Sequence, residues 1–113
     1  MRIRRGDVVL VNLDPVIGSE EGKTRPALII QNDIGNEFSP VTIIAPITTK
    51  IFSKKFPINV EIDKSSSPLK EKSTILLNQI RTIDKRRLIR NYGQINNRKS
   101  KEVNEAIVDS LGL

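Results

Sequence analysis

The stretch RPALIIQND, Arg25 to Asp33, sets four consecutive apolar side chains, Ala27 to Ile30, between a cation and three polar residues. An apolar run this short, bounded by polar residues, reads as a strand buried on both faces. Pro26 has a locked φ and no N–H, so it belongs at a strand entrance and not inside a ladder. Arg25 is therefore expected at one end of the strand and Asn32 at the other. The chain contains no histidine, which makes Arg25 a leading candidate for chemistry.

On either side of this run the sequence continues as short strands and turns. Val8 to Val11 is a β-branched run punctuated by Gly6-Asp7 before it and Asn12-Leu13-Asp14-Pro15 after it. Asp14 to Thr24 has too few apolar residues to anchor in a core and is expected to be a long, mobile loop. Beyond Gln31, Asn32 to Pro40 reads as a turn or loop, and Val41 to Ile47 as a third strand. Within that strand Pro46 marks an edge, bulge or bend, leaving Thr48 and Thr49 where the strand emerges.

Phe56, Ile58, Val60 and Ile62 alternate with polar or small neighbours, predicting a half-exposed strand over 56–62. Lys64 to Lys72 is a polar connection and Thr74 to Ile80 the next strand. Asp84 can cap a short helical turn through Leu88, and Ile89 to Ile95 can add a final strand. Val103, Ala106, Ile107 and Leu111 define an amphipathic C-terminal helix, capped by Ser100 or Asn97 at its start and Gly112 at its end. Five or six short strands and one good helix favour a mainly β fold, a small, strongly bent antiparallel barrel. No repeat and no strand–helix alternation supports a doubly wound architecture.

A chain of 113 residues, 37% hydrophobic and 28% charged, fits one domain over residues 1–113. With no cysteine, disulfides, thiol nucleophiles and cysteine-held metal centres are excluded. The apolar run after the basic N-terminus is far too short for a signal core or a membrane span, so a cytoplasmic protein without membrane contact is expected. The net charge of +6 favours a polyanion or an acidic partner. Phe38, Phe52, Phe56 and Tyr92 are the only aromatic residues, so nucleic-acid binding would lean on phosphate contacts and hydrogen bonds.

Four ordered segments, RRGDVVLVNLDPVIGSEEG (4–22), TRPALIIQND (24–33), FSPVTIIAPIT (38–48) and ILLNQIRTIDKRRL (75–88), resemble the MazF/PemK family of toxin endoribonucleases over nearly the whole chain. The resemblance implies an SH3-like barrel of the plasmid-toxin type that forms a homodimer. It also implies sequence-specific, ribosome-independent cleavage of single-stranded mRNA without a metal ion, leaving a 2′,3′-cyclic phosphate and a 5′-hydroxyl. The family's catalytic arginine falls on Arg25 and its catalytic threonine on Thr48. The segment with Ser19 and Glu20 resembles the loop that closes over RNA and is displaced by antitoxin. Lys23-Thr24 and Asn78 depart from residues common in relatives, with smaller residues and glutamate respectively in those places.

Cleavage by a 2′-hydroxyl needs a proton removed, a proton returned to the leaving oxygen, and charge on the phosphorane stabilised. Arg25 suits the third task, because a planar guanidinium donates twice to phosphate while remaining charged. Its pKa, roughly 12.5 to 13.8, makes it an awkward base. The Thr48 hydroxyl can donate to a nonbridging oxygen. Both are assigned chiefly to electrostatics and in-line positioning, with proton transfer by Arg25 left open.

Asn32 and Gln79 carry amides able to read an unpaired base, and Glu20 can accept from a base amino group. Ser19, Thr49 and Arg5 complete the expected RNA contacts, while Lys85-Arg86-Arg87 and Arg90 either extend a phosphate track or form a solvated face. Scattered aspartates nominate no metal site, and no cofactor is expected. The expected protein partner is an acidic, partly disordered antitoxin. Two other classes remain: a gyrase-directed toxin of similar fold, whose C-terminal tryptophan this chain lacks, and a non-catalytic RNA-binding regulator.

Overall fold

The computed structural model describes every residue except Val16, Glu21 and Lys55. Strands β1 (Asp7–Asn12), β2 (Thr24–Ile29) and β3 (Val41–Thr48) are followed by β4 (Asn59–Ile62), β5 (Ser73–Leu76), β6 (Arg81–Asp84) and β7 (Leu88–Gln94). Helix α1 (Asp33–Phe38) lies between β2 and β3, and α2 (Asn97–Leu111) ends the fold. The strands form one antiparallel sheet in the order β4-β5-β3-β2-β1-β7, with β6 also on β3. The expected mainly β fold is thus present, as a bent sheet whose path ends at β4 and β7 without closing into a barrel.

Alternation along the strands divides the core into two clusters. Val8, Leu28, Ala45 and Ile47 pack with β4, β5 and the α2 residues Val103 and Ala106. Val9, Val11, Ala27, Ile29 and Ile44 point the other way, joining Ile3, Leu13 and Ile83. Both faces of β2 are therefore covered, which is why its apolar run is continuous and not alternating. β1 and β3 flank β2 through ladders that pair Val9 with Ala27 and Ala27 with Pro46.

Several boundaries differ from the sequence expectation, each for a local reason. The expected loop over 32–40 contains α1, because the Asn32 side chain caps it by accepting from the Gly35 N–H at 2.8 Å. The strand expected over 56–62 begins only at Asn59: Pro57 and Ile58 form a turn closed by the Asn59 N–H on the Phe56 carbonyl at 3.0 Å. The strand expected over 74–80 stops at Leu76, and β6 appears as a separate strand. Asn96, and neither Asn97 nor Ser100, caps α2, whereas Gly112 ends it as expected with φ 69°. The loop expected over 14–24 includes Val16 and Glu21, which lie outside the described residues.

The short helical turn predicted after Asp84 is a 3₁₀ turn, Lys85–Arg87, whose Arg86 N–H is met by the Asp84 carboxylate. Hydrogen bonds from the Arg86 side chain, then its backbone N–H, hold the Asp84 carboxyl below its ordinary value of 3.8. A carboxyl lowered on folding adds stability above its unfolded value and loses that contribution as pH falls through the folded one. Asp84→Asn should therefore lower the urea midpoint at neutral pH, with the difference from wild type narrowing at a second pH well below 3.8. An equal difference at both pH values would show that the charge does not matter.

Candidate active site at the end of the β2–β3 ladder

Arg25 is the second residue of β2 and pairs with Val11 of β1. The β2–β3 register sets Ala27 against Pro46, Leu28 against Ala45 and Ile29 against Ile44. Continued two residues, it sets Arg25 opposite Thr48, the last residue of β3. Opposed residues share a face of a sheet, so both lie on the side carrying Ala27, Ile29 and Ile44. Each is half-buried, at the edge of the apolar cluster beneath it.

Backbone contacts orient both side chains. The Arg25 Nε donates to the Gly22 carbonyl at 2.7 Å, tying the guanidinium stem to the end of the β1–β2 loop. The Thr48 Oγ1 accepts from the Lys50 N–H at 3.2 Å, and Thr74, paired with Thr48, donates its hydroxyl to the Lys50 carbonyl at 3.0 Å. The chain leaving β3 is thus held between two threonines. Because Thr48 Oγ1 accepts there, its own hydrogen is directed away from that amide. Thr49 follows it and is exposed.

Pro46 explains what stands beside this pair. Ile44 pairs with Arg81 and Ile47 with Ile75, so five residues, Leu76 to Ile80, face only Ala45 and Pro46. Proline cannot donate to a continuous ladder, and the opposing chain leaves it here. The departure is a turn closed by the Gln79 N–H on the Leu76 carbonyl at 3.2 Å, which carries Asn78 and Gln79 out of the sheet. Sequence reading placed both inside a strand; the turn instead sets them where they line two cavities.

Two cavities meet at that turn. One, of about 200 Å³, lies between Glu20, Pro46, Asn78, Gln79 and Arg81. The other, of about 400 Å³, is bounded by Ser19, Phe52, Phe56, Asn59, Asn78 and Gln79. Ser19, Glu20 and Gln79 are thereby brought together. Arg5 and Asn32 are not: the Arg5 Nε donates to the Ile30 carbonyl at 2.9 Å, and the Asn32 amide oxygen is used in capping α1. At about 3.3 Å per strand residue, Ile30 stands roughly 16 Å along β2 from Arg25.

Sequence reading missed Phe52, Phe56, Lys50 and Arg81 at this site. The Lys50 Nζ sits 5.0 Å from the centre of the Phe52 ring, so a cation and an aromatic face are offered together. Their only sequence signal was position, just after the Thr48-Thr49 pair. Among the described residues, no three His, Cys, Asp or Glu side chains are grouped to hold a metal ion, and no helix is long and apolar enough to cross a membrane.

A family model described as the PemK-like, MazF-like toxin of type II toxin–antitoxin systems matches residues 4–111. The chain belongs to this family. Over 111 residues it is 54% identical to endoribonuclease MazF of Staphylococcus saprophyticus, a match covering 98% of this chain and 92% of that protein. The fold is similar to that of MazF from Deinococcus radiodurans, with a TM-score of 0.85 at 23% identity over 100% of this chain and 99% of the other. It is also similar to an endoribonuclease in complex with its cognate antitoxin from a mycobacterial species, with a TM-score of 0.81 at 23% identity over 98% and 96% of the two chains. At such identities the structural likeness is one of fold.

If the Thr48 hydroxyl donates to a developing charge, removing it while keeping its shape should cost ~10²- to 10³-fold in maximal rate, as loss of one oxyanion donor does. Thr48→Val is therefore expected to show that loss in single-turnover RNA cleavage, and Thr48→Ser to recover most of it. Equal rates for the two variants would remove the hydroxyl from the chemistry.

Proposed function

We propose that this chain is the endoribonuclease toxin of a type II toxin–antitoxin pair, acting in the cytoplasm as a homodimer of one domain spanning residues 1–113. Its substrate is single-stranded mRNA, cut at a short sequence without ribosome or metal. The observation that supports this reading is the β2–β3 register: continued two residues past Ala27 and Pro46 it opposes Arg25 to Thr48, and Pro46 itself lines one of the two cavities that share Gln79.

In the proposed step the ribose 2′-oxygen attacks the adjacent phosphorus as its proton leaves. The bond from phosphorus to the 5′-oxygen then breaks and that oxygen takes up a proton, giving a 2′,3′-cyclic phosphate and a 5′-hydroxyl. Charge grows on the nonbridging oxygens in between. Arg25 supplies a fixed positive charge there and Thr48 a hydroxyl donor, both preset by backbone contacts so that little reorganisation is needed. A permanently charged guanidinium favours this role over that of a base.

Substrate selection falls to the turn and its cavities. Gln79 and Asn78 offer amide edges, Ser19 and Glu20 approach from the loop, and Phe52 and Phe56 offer faces on which an unpaired base can stack. Thr49 lies on the strand exit and contacts the strand beyond the scissile phosphate. Arg5 and Asn32, at the far end of β2, can serve only nucleotides remote from it. The acidic antitoxin that the +6 charge favours would compete for the same basic surface.

The test is incubation of the purified protein with a mixed-sequence transcript in excess EDTA, followed by sequencing of the new 5′ ends. Cleavage at one short word, with 5′-hydroxyl products and a loss of ~10²-fold or more in Arg25→Ala, is expected. Intact RNA, or cleavage undiminished in both Arg25→Ala and Thr48→Ala, would overturn the proposal. Binding without cutting would identify a silent RNA-binding relative instead.

A further inference from the structure

We infer that Arg81 and Arg87 are positioning residues that clamp the neck of the β1–β2 loop and, through it, set the guanidinium of Arg25. The inference rests on the reading of Arg25 given above. Arg81 opens β6 and Arg87 closes the 3₁₀ turn, yet both side chains return to one place almost seventy or more residues earlier in the chain. The Arg81 Nη1 donates to the Leu13 carbonyl at 3.1 Å. The Arg87 Nη1 donates to the Asn12 carbonyl at 3.1 Å and also to that of Asp14. Three consecutive main-chain carbonyls are thus held by two guanidiniums.

From those carbonyls a continuous set of hydrogen bonds crosses the neck to Arg25. The Leu13 N–H donates to the Lys23 carbonyl at 2.9 Å, and the Lys23 N–H donates to the Asp14 carboxylate at 2.7 Å. The carbonyl of the same peptide unit as that N–H, Gly22's, accepts from Arg25 Nε. Lys23 itself is held at φ 63°, a left-handed conformation that a side-chain-bearing residue keeps only where its surroundings determine it. The neck is therefore a built frame, while the tip with Ser19 and Glu20 lies beyond it. Arginine suits the clamp because its planar fork reaches two carbonyls at once and its charge does not change with pH.

Arg86 offers an internal comparison, since it carries the same charge but pairs with Asp84 at 3.0 Å within its own turn. Purified wild type, Arg81→Met, Arg87→Met and Arg86→Met are compared by single-turnover cleavage of one site in a mixed-sequence transcript. The Arg81 and Arg87 variants should lose ~10- to 100-fold in maximal rate with little change in half-saturating concentration, because a small displacement of a positioned group acts on the chemical step. Arg86→Met should stay within about twofold, and Arg81→Lys should recover part of the loss. In an Arg25→Ala background, Arg81→Met should add less than about twofold, as expected for residues acting through one another.

The Arg25 Nε–H resonance in a ¹H–¹⁵N spectrum supplies a readout independent of cleavage. It should move toward the position of a solvated arginine in both Met variants and stay in place in Arg86→Met. An unmoved resonance, or full multiplication of the Arg81 and Arg25 losses, would overturn the inference. Should the Met variants fail to fold, the Lys variants carry both measurements. A wild type that does not cut RNA defeats the proposed function, whereas the resonance still decides the clamp.

Discussion

Burial of β2 on both faces is the constraint on which the rest depends. Leu28 belongs to the cluster beneath α2, and Ala27 and Ile29 belong to the opposite one. A slip of one residue against β3 would exchange these faces and carry Arg25 with them. Each large apolar side chain turned out to water would cost about 1.5–3 kcal/mol, so several together outweigh any gain from a looser arrangement of polar ends. The register that, continued to the strand ends, opposes Arg25 to Thr48 thus follows from core packing.

The ladder is broken where it would otherwise be most regular, and the site lies at the break. β3 serves β2 through Ile44, Ala45 and Pro46, and serves β6 and β5 through Val41 to Ile44 and through Ile47 and Thr48. At Pro46 the missing donor coincides with the exit of residues 77–80 from the sheet. A rigid strand therefore presents a hydroxyl while an adjacent turn presents two amides. Such a division suits a site in which the chemistry demands fixed geometry and recognition demands exposed polar edges.

Most of the polar side chains around β2 hold the backbone. Arg5 meets the Ile30 carbonyl, Asn32 caps α1, and Arg87 bridges Asn12 and Asp14. Of the basic run at 85–87, Arg87 holds the loop neck, whereas Arg86 pairs with Asp84 of its own turn on the solvated face. Arginines lead in this work because carbonyls at strand ends need donors, and a guanidinium supplies several in one plane.

Patterns that depend on nearest neighbours were legible in the sequence: the buried run 27–30, the β-branched run 8–11, the helical spacing of Val103, Ala106 and Ile107, and the cap at Asp84. The resemblance to MazF/PemK toxins, carried by four ordered segments, indicated the family and named Arg25 and Thr48. Strand limits near Phe56 and Leu77 were not legible, because a proline or a mismatched partner ends a ladder only once the partner is known. The recruitment of Phe52, Phe56, Lys50 and Arg81 was likewise invisible. These residues are separated in sequence from the loop and the strand they meet, and only the change of partner along β3, from β6 to β5, brings them to one place. Local chemistry determined what each segment could become; the register between β2 and β3 decided which side chains face one another, because that register is set by burial on both sides of a strand at once.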